Sequence, residues 1–303
     1  EEFARAVSLG LLDYLRKSRS RGFVVSLSGG ADSATVACLV GLMVRFGVAE
    51  LGLERFVNKL PYLESLDGAP NEREVIRQLL TCVYQATRNS SRVTREAATR
   101  VAEALGAEFL VFDVEGVVRQ YKGIVAEAIG RTLSWEQDDL ALQNIQARAR
   151  APGIWMLANL KQALLLATSN RSEAAAGYAT MDGDTAGGLS PIAGIDKAFL
   201  RRWLRWLETQ GPAELFPLPA LQAVNAQQPT AELRPQAAAQ VDEEDLMPYE
   251  VLDVIERAAI RDKLMPIEVY QRLKVLYGET FEPQQLATWV ERFFVLWARN
   301  QWK

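Results

Sequence analysis

The six residues Ser-Gly-Gly-Ala-Asp-Ser at positions 28–33 have the composition of a phosphate-binding turn. They lie between two apolar stretches, an order that predicts strand, glycine turn and helix. Gly29 and Gly30 allow a tight turn, and the free N–H groups at the start of the helix then face an anion. Ser28 and Ser33 add hydroxyl donors. The segment lacks the Gly-Lys-Ser/Thr ending of a Walker loop and the third glycine of the dinucleotide fingerprint.

Asp32 is the one residue of this segment that a phosphate would repel. The repulsion is removed if a metal cation lies between the two groups, and Mg²⁺ commonly bridges carboxylates and nucleotide phosphates. Alternatively, the carboxylate caps the helix and no phosphate is present. The first alternative is a nucleotide pyrophosphate site, and the second is an ordinary capped turn. The segment alone leaves both open.

The composition excludes several kinds of catalytic site and partner. The chain has 303 residues, a formal net charge of −4 and no histidine. The lack of histidine excludes Ser-His-Asp and Cys-His catalysis and histidine metal sites. The charge gives no general attraction to nucleic acid, and no apolar run reaches about 18 residues, so neither nucleic acid nor a membrane is an expected partner. Cys38 and Cys82 lie in apolar surroundings and are expected to be buried thiols of a reducing compartment.

Hydrophobic periodicity predicts short buried strands alternating with helices. This pattern is typical of an α/β fold with a doubly wound parallel sheet, helices on both faces and further helices at the C-terminus, and 1–303 is predicted to be one domain. The predicted strands are 22–27, 79–84, 108–113 and 162–167. The longer predicted helices are 1–17, 33–46, 93–105, 116–129, 137–160, 197–209, 248–261, 266–277 and 283–300. Residues 47–77 are predicted to be irregular, and the proline-rich stretch 211–247 to be a long mobile loop.

Ligands of such sheets bind at the carboxyl ends of the strands. Besides the turn at 28–33, the polar segments predicted there are Asp113 and 168–173. Glu173 falls in the first turn of another helix. It either closes a capping box with Asn170, or faces Asp32 across the neighbouring strand end and shares a Mg²⁺ with it. The spacing leaves both alternatives open.

Each of the other polar groups has both a purely structural and a functional interpretation. The glycine-rich loop 177–188 is either an ordinary surface loop or one that holds a ligand or a partner chain. Asn144 and Arg148 share one helix face, which either meets solvent or binds a carboxylate or phosphate, whereas Arg150 is expected to point away. The remaining candidates, either phosphate contacts or surface residues, are Lys197 and Thr230.

Five segments, taken together, resemble the NAD⁺ synthetases. Residues 28–33 are similar to the pyrophosphatase loop of the N-type ATP pyrophosphatases, a loop that would also fit GMP synthetase, asparagine synthetase and tRNA-modifying enzymes. The other segments follow in the family's order: Asn-Ile-Gln-Ala-Arg-Ala-Arg from 144, Ala-Thr-Ser-Asn-Arg-Ser-Glu from 167, Gly-Tyr-Ala-Thr-Met-Asp-Gly-Asp-Thr-Ala-Gly-Gly from 177 and Pro-Thr-Ala-Glu-Leu-Arg-Pro from 229. The closer similarity is to the synthetase domain of the glutamine-dependent form, which implies an adenine nucleotide alpha hydrolase-like fold.

The resemblance implies a reaction and its partners. The deamido-NAD⁺ carboxylate attacks the α-phosphorus of ATP and releases pyrophosphate, and ammonia then displaces AMP to give NAD⁺. ATP, Mg²⁺ and a homodimer are implied, and a cytoplasmic location is expected. The glutaminase domain of the glutamine-dependent form is absent from this chain, which starts at Glu1 without Met and is expected to be a fragment. The nitrogen source is therefore expected to be free ammonia, unless another polypeptide or a removed region supplies it.

The resemblance also implies roles for individual residues. The ATP contacts are Ser28, Gly29, Gly30, Asp32, Ser33, Thr168, Lys197 and Thr230. The deamido-NAD⁺ contacts are Asn144, Arg148, Glu173, Tyr178, Met181, Asp184 and Lys303. The expected catalytic residues are Asp32, Glu173 and Lys197, with Asp32 and Glu173 as the Mg²⁺ ligands. Two rivals are another AMP-forming pyrophosphatase of this fold and a non-catalytic adenine-nucleotide-binding domain of the electron-transfer-flavoprotein type.

Overall fold

The computed structural model describes residues 1–66, 68–228, 232–235 and 242–300. Its centre is a four-stranded sheet, parallel throughout, with strand order β3-β2-β1-β4. The strands are β1 (Phe23–Ser26), β2 (Leu80–Ala86), β3 (Glu108–Asp113) and β4 (Leu164–Leu166). The chain adds β2 and β3 on one side of β1 and then β4 on the other. The carboxyl ends of β1 and β4 therefore flank the switch point, where ligands of such sheets bind.

Helices cover both faces of the sheet, as the sequence predicts, and a helical group closes the chain. The helices before β4 are α1 (Glu2–Ser18), α2 (Ala31–Leu51), α3 (Leu53–Val57), α4 (Glu72–Leu79), α5 (Arg92–Leu105), α6 (Glu115–Ile129), α7 (Trp135–Arg148) and α8 (Ala151–Lys161). Those after it are α9 (Arg171–Ala176), α10 (Lys197–Thr209), α11 (Gln222–Asn225), α12 (Asp242–Asp245), α13 (Tyr249–Glu256), α14 (Pro266–Tyr277) and α15 (Pro283–Arg299). Together with the sheet, they form the doubly wound arrangement expected of the α/β class.

The main core lies on one face of the sheet and is built around α2. This helix packs against α1, α3, α4, α5 and α10. By length and composition alone α2 could cross a membrane, but 67% of its most apolar window is buried inside the protein. A helix apolar on every side is expected at the centre of a large core. A second, smaller core joins α8 to the opposite face of the sheet through Val24, Val83, Ile154, Ala158 and Leu165.

Three sequence expectations about the elements are wrong. Residues 47–77 are largely helical, because α2 continues to Leu51 and α3, a 3₁₀ turn and α4 follow. The stretch 137–160 is two helices that break between Arg148 and Ala151. Residues 211–247 are not one long loop, since 219–225 are helical and place Leu221 and Val224 in the main core.

Candidate functional site

The turn between β1 and α2 is shaped by a glycine at position 29. Its φ of +87° lies in the left-handed region, and an added Cβ would fall 2.1 Å from the backbone oxygen of Thr94. Only glycine therefore allows this turn to pack so closely against α5. Gly30 is the N-cap of α2 and makes no side-chain cap hydrogen bond, so no capping group covers the N–H groups of the first turn.

The two serines of this turn hold it together. The Ser33 hydroxyl accepts a hydrogen bond from the Ser28 backbone N–H at 3.2 Å, and the two hydroxyls lie 3.1 Å apart. The Ser28 hydroxyl also accepts from the N–H of Gly30 at 3.3 Å. The hydroxyls thus fix the shape of the turn, a role that the sequence did not suggest, and both residues also line a cavity at the carboxyl edge of the sheet.

Lys197, at the start of α10, joins the two predicted carboxylates. Its buried ammonium contacts Asp32 Oδ2 and lies 2.9 Å from Glu173 Oε1. The other Asp32 oxygen accepts a hydrogen bond from the Asn170 side chain at 3.0 Å. The negative charge of Asp32 is therefore balanced by a lysine, which neither sequence alternative included.

The capping alternatives for the two carboxylates are also settled by these contacts. Asp32 points towards Asn170 and Lys197 rather than capping α2. Asn170 caps α9 by accepting from the N–H of Glu173 at 3.0 Å. The Glu173 side chain turns to Lys197 instead of returning to Asn170, so the capping box is only half formed.

Burial and charge set the protonation of this group. Burial raises the pKa of Glu173 to about 8, an effect that the Asp32 charge increases and Lys197 opposes. Burial alone would lower the pKa of Lys197, but the charges of Asp32 and Glu173 raise it well above its ordinary value. Asp242 faces the same lysine, and burial raises the pKa of its carboxyl to about 6. The site therefore contains several carboxyl groups around Lys197, whose ammonium stays positively charged.

The two carboxylates can bind Mg²⁺ only together with other ligands that complete its coordination shell. Asp32 and Glu173 supply oxygen donors, the ligands that Mg²⁺ prefers. Lys197 already contacts both, and among the described residues no three His, Cys, Asp or Glu side chains are grouped to hold an ion. Burial is the main cause of the raised pKa of Glu173, and the Asp32 charge adds to it, so a further cation would favour the charged carboxylate. These residues fit Mg²⁺ when phosphates and water complete its coordination.

The predicted deamido-NAD⁺ contacts on α7 and on the loop 177–188 lie together. The Thr180 hydroxyl lies 3.3 Å from Asn144 Oδ1, and the backbone N–H of Thr180 donates to Asp184 at 2.9 Å. Arg148 donates to the backbone oxygen of Met181 at 3.0 Å. Of these residues, Asp184 lines the cavity.

The remaining predicted residues divide into three groups. Thr168 and Tyr178 line the cavity, and the Tyr178 hydroxyl donates to Asp245 at 2.8 Å. Thr230 and Lys303 lie outside the described residues. Asp113 lies at the carboxyl end of β3, as expected, but β3 is an edge strand, and Asp113 is exposed, does not line the cavity and accepts from the N–H of Glu115.

Arg150 is the functional candidate that the sequence interpretation missed. It lines the cavity, where it donates to the backbone oxygens of Gln85 at 3.3 Å and Gln146 at 2.6 Å. Burial lowers the pKa of its guanidinium, and within the described part of the chain no carboxylate forms an ion pair with it. A half-buried arginine whose described partners are backbone carbonyls suits an anionic ligand. Arg150 was expected to be rotated away from the helix face of Asn144 and Arg148, and of these three residues it is the one that lines the cavity.

A segment of residues 232–235 forms another wall of the site. Glu232 lines the cavity and accepts from the Thr94 hydroxyl at 2.9 Å. The next residue, Leu233, accepts from the Asn89 side chain at 2.9 Å. Arg234 pairs with Asp139 at 2.9 Å. These contacts attach the segment to the loop after β2, to α5 and to α7.

Comparison with known proteins gives consistent matches. The family model described as NAD synthase matches residues 3–280. A glutamine-dependent NAD(+) synthetase from Bos taurus is 33% identical over 326 residues, which cover 99% of this chain and 46% of the relative. The chain thus spans about half the length of the curated relatives it matches.

Comparison with solved structures also finds NAD(+) synthetases. The glutamine-dependent NAD(+) synthetase from Cytophaga hutchinsonii superimposes with a TM-score of 0.85 and 46% identity, covering 99% of this chain and 49% of that one. The enzyme of the same name from Acinetobacter baumannii, solved in complex with ADP, has a TM-score of 0.56 and 20% identity over 99% of this chain and 44% of its own. The second match supports the fold alone.

Proposed function

Because this chain belongs to the NAD synthase family, we propose that it catalyses the ATP-dependent amidation of deamido-NAD⁺ to NAD⁺, with release of AMP and pyrophosphate. The observation that carries the proposal is the Asp32–Lys197–Glu173 group at the switch point of the sheet. It lies beside an uncapped helix start of the kind that binds phosphate. The A. baumannii relative was solved with ADP, and an adenine nucleotide is the proposed ligand of this chain as well.

The arrangement accounts for both steps without histidine. The substrate carboxylate is already nucleophilic and ammonia is neutral, so neither step needs a strong general base. Charge grows on the phosphates as ATP is attacked, and the N–H groups of α2 and the Lys197 ammonium are placed to stabilise it. Arg150, unpaired with any described carboxylate, would bind the anionic part of deamido-NAD⁺ or the acyl phosphate. Mg²⁺, when bound, would neutralise phosphate charge, with Asp32 and Glu173 as its protein ligands.

The test is incubation with ATP, Mg²⁺, deamido-NAD⁺ and ammonium, with AMP and NAD⁺ measured by chromatography. We expect one AMP for each NAD⁺ and neither product without deamido-NAD⁺. AMP formed only with a different acceptor would favour another AMP-forming pyrophosphatase. ATP binding without AMP, in folded protein, would favour the non-catalytic nucleotide-binding alternative.

The proposed nitrogen donor is ammonia. The curated relatives are named as glutamine-dependent, but this chain matches only about half of their length. We expect ammonium to support turnover and glutamine alone to give none, unless a separate glutaminase is added. Turnover of this chain with glutamine alone would contradict the proposal.

A homodimer is the proposed assembly, and exposed apolar side chains on α6 and α8 support it. Both helices pack against α7. Their exposed apolar residues are Val117, Tyr121, Ile124, Val125, Ile129, Trp155, Met156 and Leu160. Exposed apolar side chains grouped on neighbouring helices often mark a surface that a partner covers. Sedimentation equilibrium should give a dimer for the wild type and a monomer for Ile124→Lys combined with Leu160→Lys, whereas Val275→Lys on α14 should remain dimeric.

The cytoplasm is the proposed location. Cys38 and Cys82 are buried free thiols, and burial raises the pKa of Cys38 to about 12. Unpaired, unreactive thiols are consistent with a reducing compartment. Localisation of the tagged protein by fluorescence would test the assignment.

A further inference from the structure

Asp253 is buried next to the site without lining it. It lies on α13 with 1% of its surface exposed, and the cavity walls do not include it. Its Oδ1 accepts a hydrogen bond from the Ser172 hydroxyl, and its Oδ2 accepts from the backbone N–H of Ala198 at 3.0 Å. Ser172 directly precedes Glu173, and Ala198 directly follows Lys197. Asp253 therefore holds the neighbours of two proposed catalytic residues.

Ser172 completes the connection between the two helices. Its hydroxyl oxygen also accepts a hydrogen bond from the backbone N–H of Lys197 at 2.9 Å. N–H groups in the first turn of a helix have no partner within the helix. Here the side chain of the N-cap residue Asp196 accepts a hydrogen bond from the N–H of Phe199 and not from that of Lys197. One hydroxyl and one carboxylate thus join the start of α9 to the start of α10.

Another residue of α13 lies next to the Lys197 side chain. Tyr249, one turn before Asp253 on α13, places its ring 5.4 Å from the Lys197 ammonium. Tyr249 is fully buried, so its ring is fixed by packing. The Lys197 side chain therefore contacts Glu173 on α9 and Tyr249 on α13. Asp253, also on α13, holds the backbone next to Lys197 through its hydrogen bond with Ala198.

We propose that Asp253, acting through Ser172, is a positioning residue that sets the placement of Lys197 relative to Glu173. Removing its carboxylate leaves the Ser172 hydroxyl and the Ala198 N–H without this partner. The connection between the two helix starts is then weaker, because the bond from the Lys197 N–H to Ser172 remains but the carboxylate no longer fixes the Ser172 hydroxyl. A displacement of about 1 Å in a catalytic group can reduce turnover by roughly a hundredfold. The kinetic consequence rests on the proposed function, whereas the positioning itself does not.

A matched control separates positioning from general support of the fold. Glu256 is another buried carboxylate on α13, but its partner is Arg171 at 3.1 Å. Glu256→Gln removes a buried charge of the same helix while the contacts of Ser172 with Lys197 and Asp253 are kept. If Asp253 acts only by stabilising α13, the two substitutions should have the same effects.

The experiment follows Lys197 directly in protein labelled with ¹³C-lysine, with its side-chain resonance assigned by its loss in Lys197→Arg. We expect Asp253→Ala and Ser172→Ala to shift this resonance and to lower kcat at least about tenfold, with a smaller change in the KM for ATP. The two effects should be non-additive in the double variant, because both remove one connection. Asp253→Asn can still accept from Ala198 and should retain most activity, and Glu256→Gln should keep the wild-type resonance and kcat.

An unshifted Lys197 resonance in folded Asp253→Ala would overturn the proposal, as would an equal effect of Glu256→Gln. If Asp253→Ala does not fold, Ser172→Ala set against Glu256→Gln carries the same comparison, and an unshifted Lys197 resonance in Ser172→Ala would then overturn the proposal. Failure of the wild type to form NAD⁺ would contradict the proposed function, yet the resonance would still report whether Asp253 positions Lys197.

Discussion

Asp32 and Glu173 belong to helices that follow two different strands, and the same lysine ammonium contacts both carboxylates. Asp32 lies in the first turn of α2 after β1, and Glu173 in the first turn of α9 after β4. The pairing of β1 with β4 brings the two helix starts together, and Lys197 from α10 lies between them. Lys197 lies between these two carboxyl groups and offsets the repulsion that arises when both are charged.

Replacement of Lys197 by Met should damage both stability and activity. Met fills a similar volume but leaves two buried carboxylates without their cation. Breaking a buried ion pair by removing one partner costs about 3 to 5 kcal/mol, so we expect a loss of this size in urea unfolding, with no measurable NAD⁺ formation. Lys161→Met is the control, because Lys161 pairs with Glu108 at a partly exposed site. A surface pair of this kind contributes about 0 to 1 kcal/mol. Equal losses in the two variants would contradict the assignment.

Replacement of Asp32 by Asn should remove most turnover with a smaller loss of stability. Asn keeps the size of the side chain but lacks the charge that holds Lys197 and would bind Mg²⁺. Glu173 still pairs with the lysine, so the ammonium does not become unpaired. The comparison is Asp113→Asn, another aspartate at a strand end, which is exposed and outside the cavity. We expect wild-type rates for Asp113→Asn, and near-wild-type turnover of Asp32→Asn would refute a catalytic role.

The sequence predicted the sheet because each strand is a continuous apolar run between polar turns. It also predicted the strand ends at 28–33 and 168–173, since strand, polar turn and helix start follow one another locally. The family resemblance implied a catalytic Lys197, but the sequence could not predict that its ammonium contacts both carboxylates, because Lys197 lies 165 residues from Asp32 along the chain. Contacts between helix starts depend on strand order, and periodicity within one segment does not determine that order. Arg150 was missed because the sequence pattern favoured the helix face of Asn144 and Arg148, whereas the cavity is lined by Arg150 instead.

Replacement of Arg150 by Met should weaken the binding of an anionic substrate. The guanidinium is held by two carbonyls and faces the cavity. A hydrogen bond to a charged group contributes about 1.5 to 3 kcal/mol, which corresponds to roughly a tenfold or greater rise in the KM for deamido-NAD⁺ or ATP. Arg88→Met is the control, because Arg88 is exposed and pairs with Glu115. Unchanged KM values for both substrates in Arg150→Met would exclude the role.

Glu173 should make stability fall as pH rises. Burial raises the pKa of its carboxyl from 4.5 to about 8 in the folded protein. Between these values the folded state holds a proton that the unfolded state releases, so the stabilisation is complete below pH 4.5 and is lost as pH rises towards 8. The slope from one group is at most roughly 1.4 kcal/mol per pH unit. Urea unfolding from pH 5 to 8 should show this slope in the wild type relative to Glu173→Gln, and parallel curves would disprove it.

Replacement of Gly29 by Ala should disrupt the turn through a clash as well as through backbone strain. The new Cβ would lie 2.1 Å from the Thr94 oxygen, which is backbone and cannot turn aside. Gly52 is a matched control, because its φ of +79° is similarly left-handed but a Cβ there meets nothing within 4 Å. Backbone strain at such a position costs about 1 to 3 kcal/mol, so Gly52→Ala should lose about that much in urea unfolding and keep its activity. Gly29→Ala should lose more and should also bind ATP weakly in calorimetry, because the N–H groups of α2 are displaced. Equal losses in the two variants, with ATP binding intact, would show that the close approach of this turn to α5 is not needed for phosphate binding.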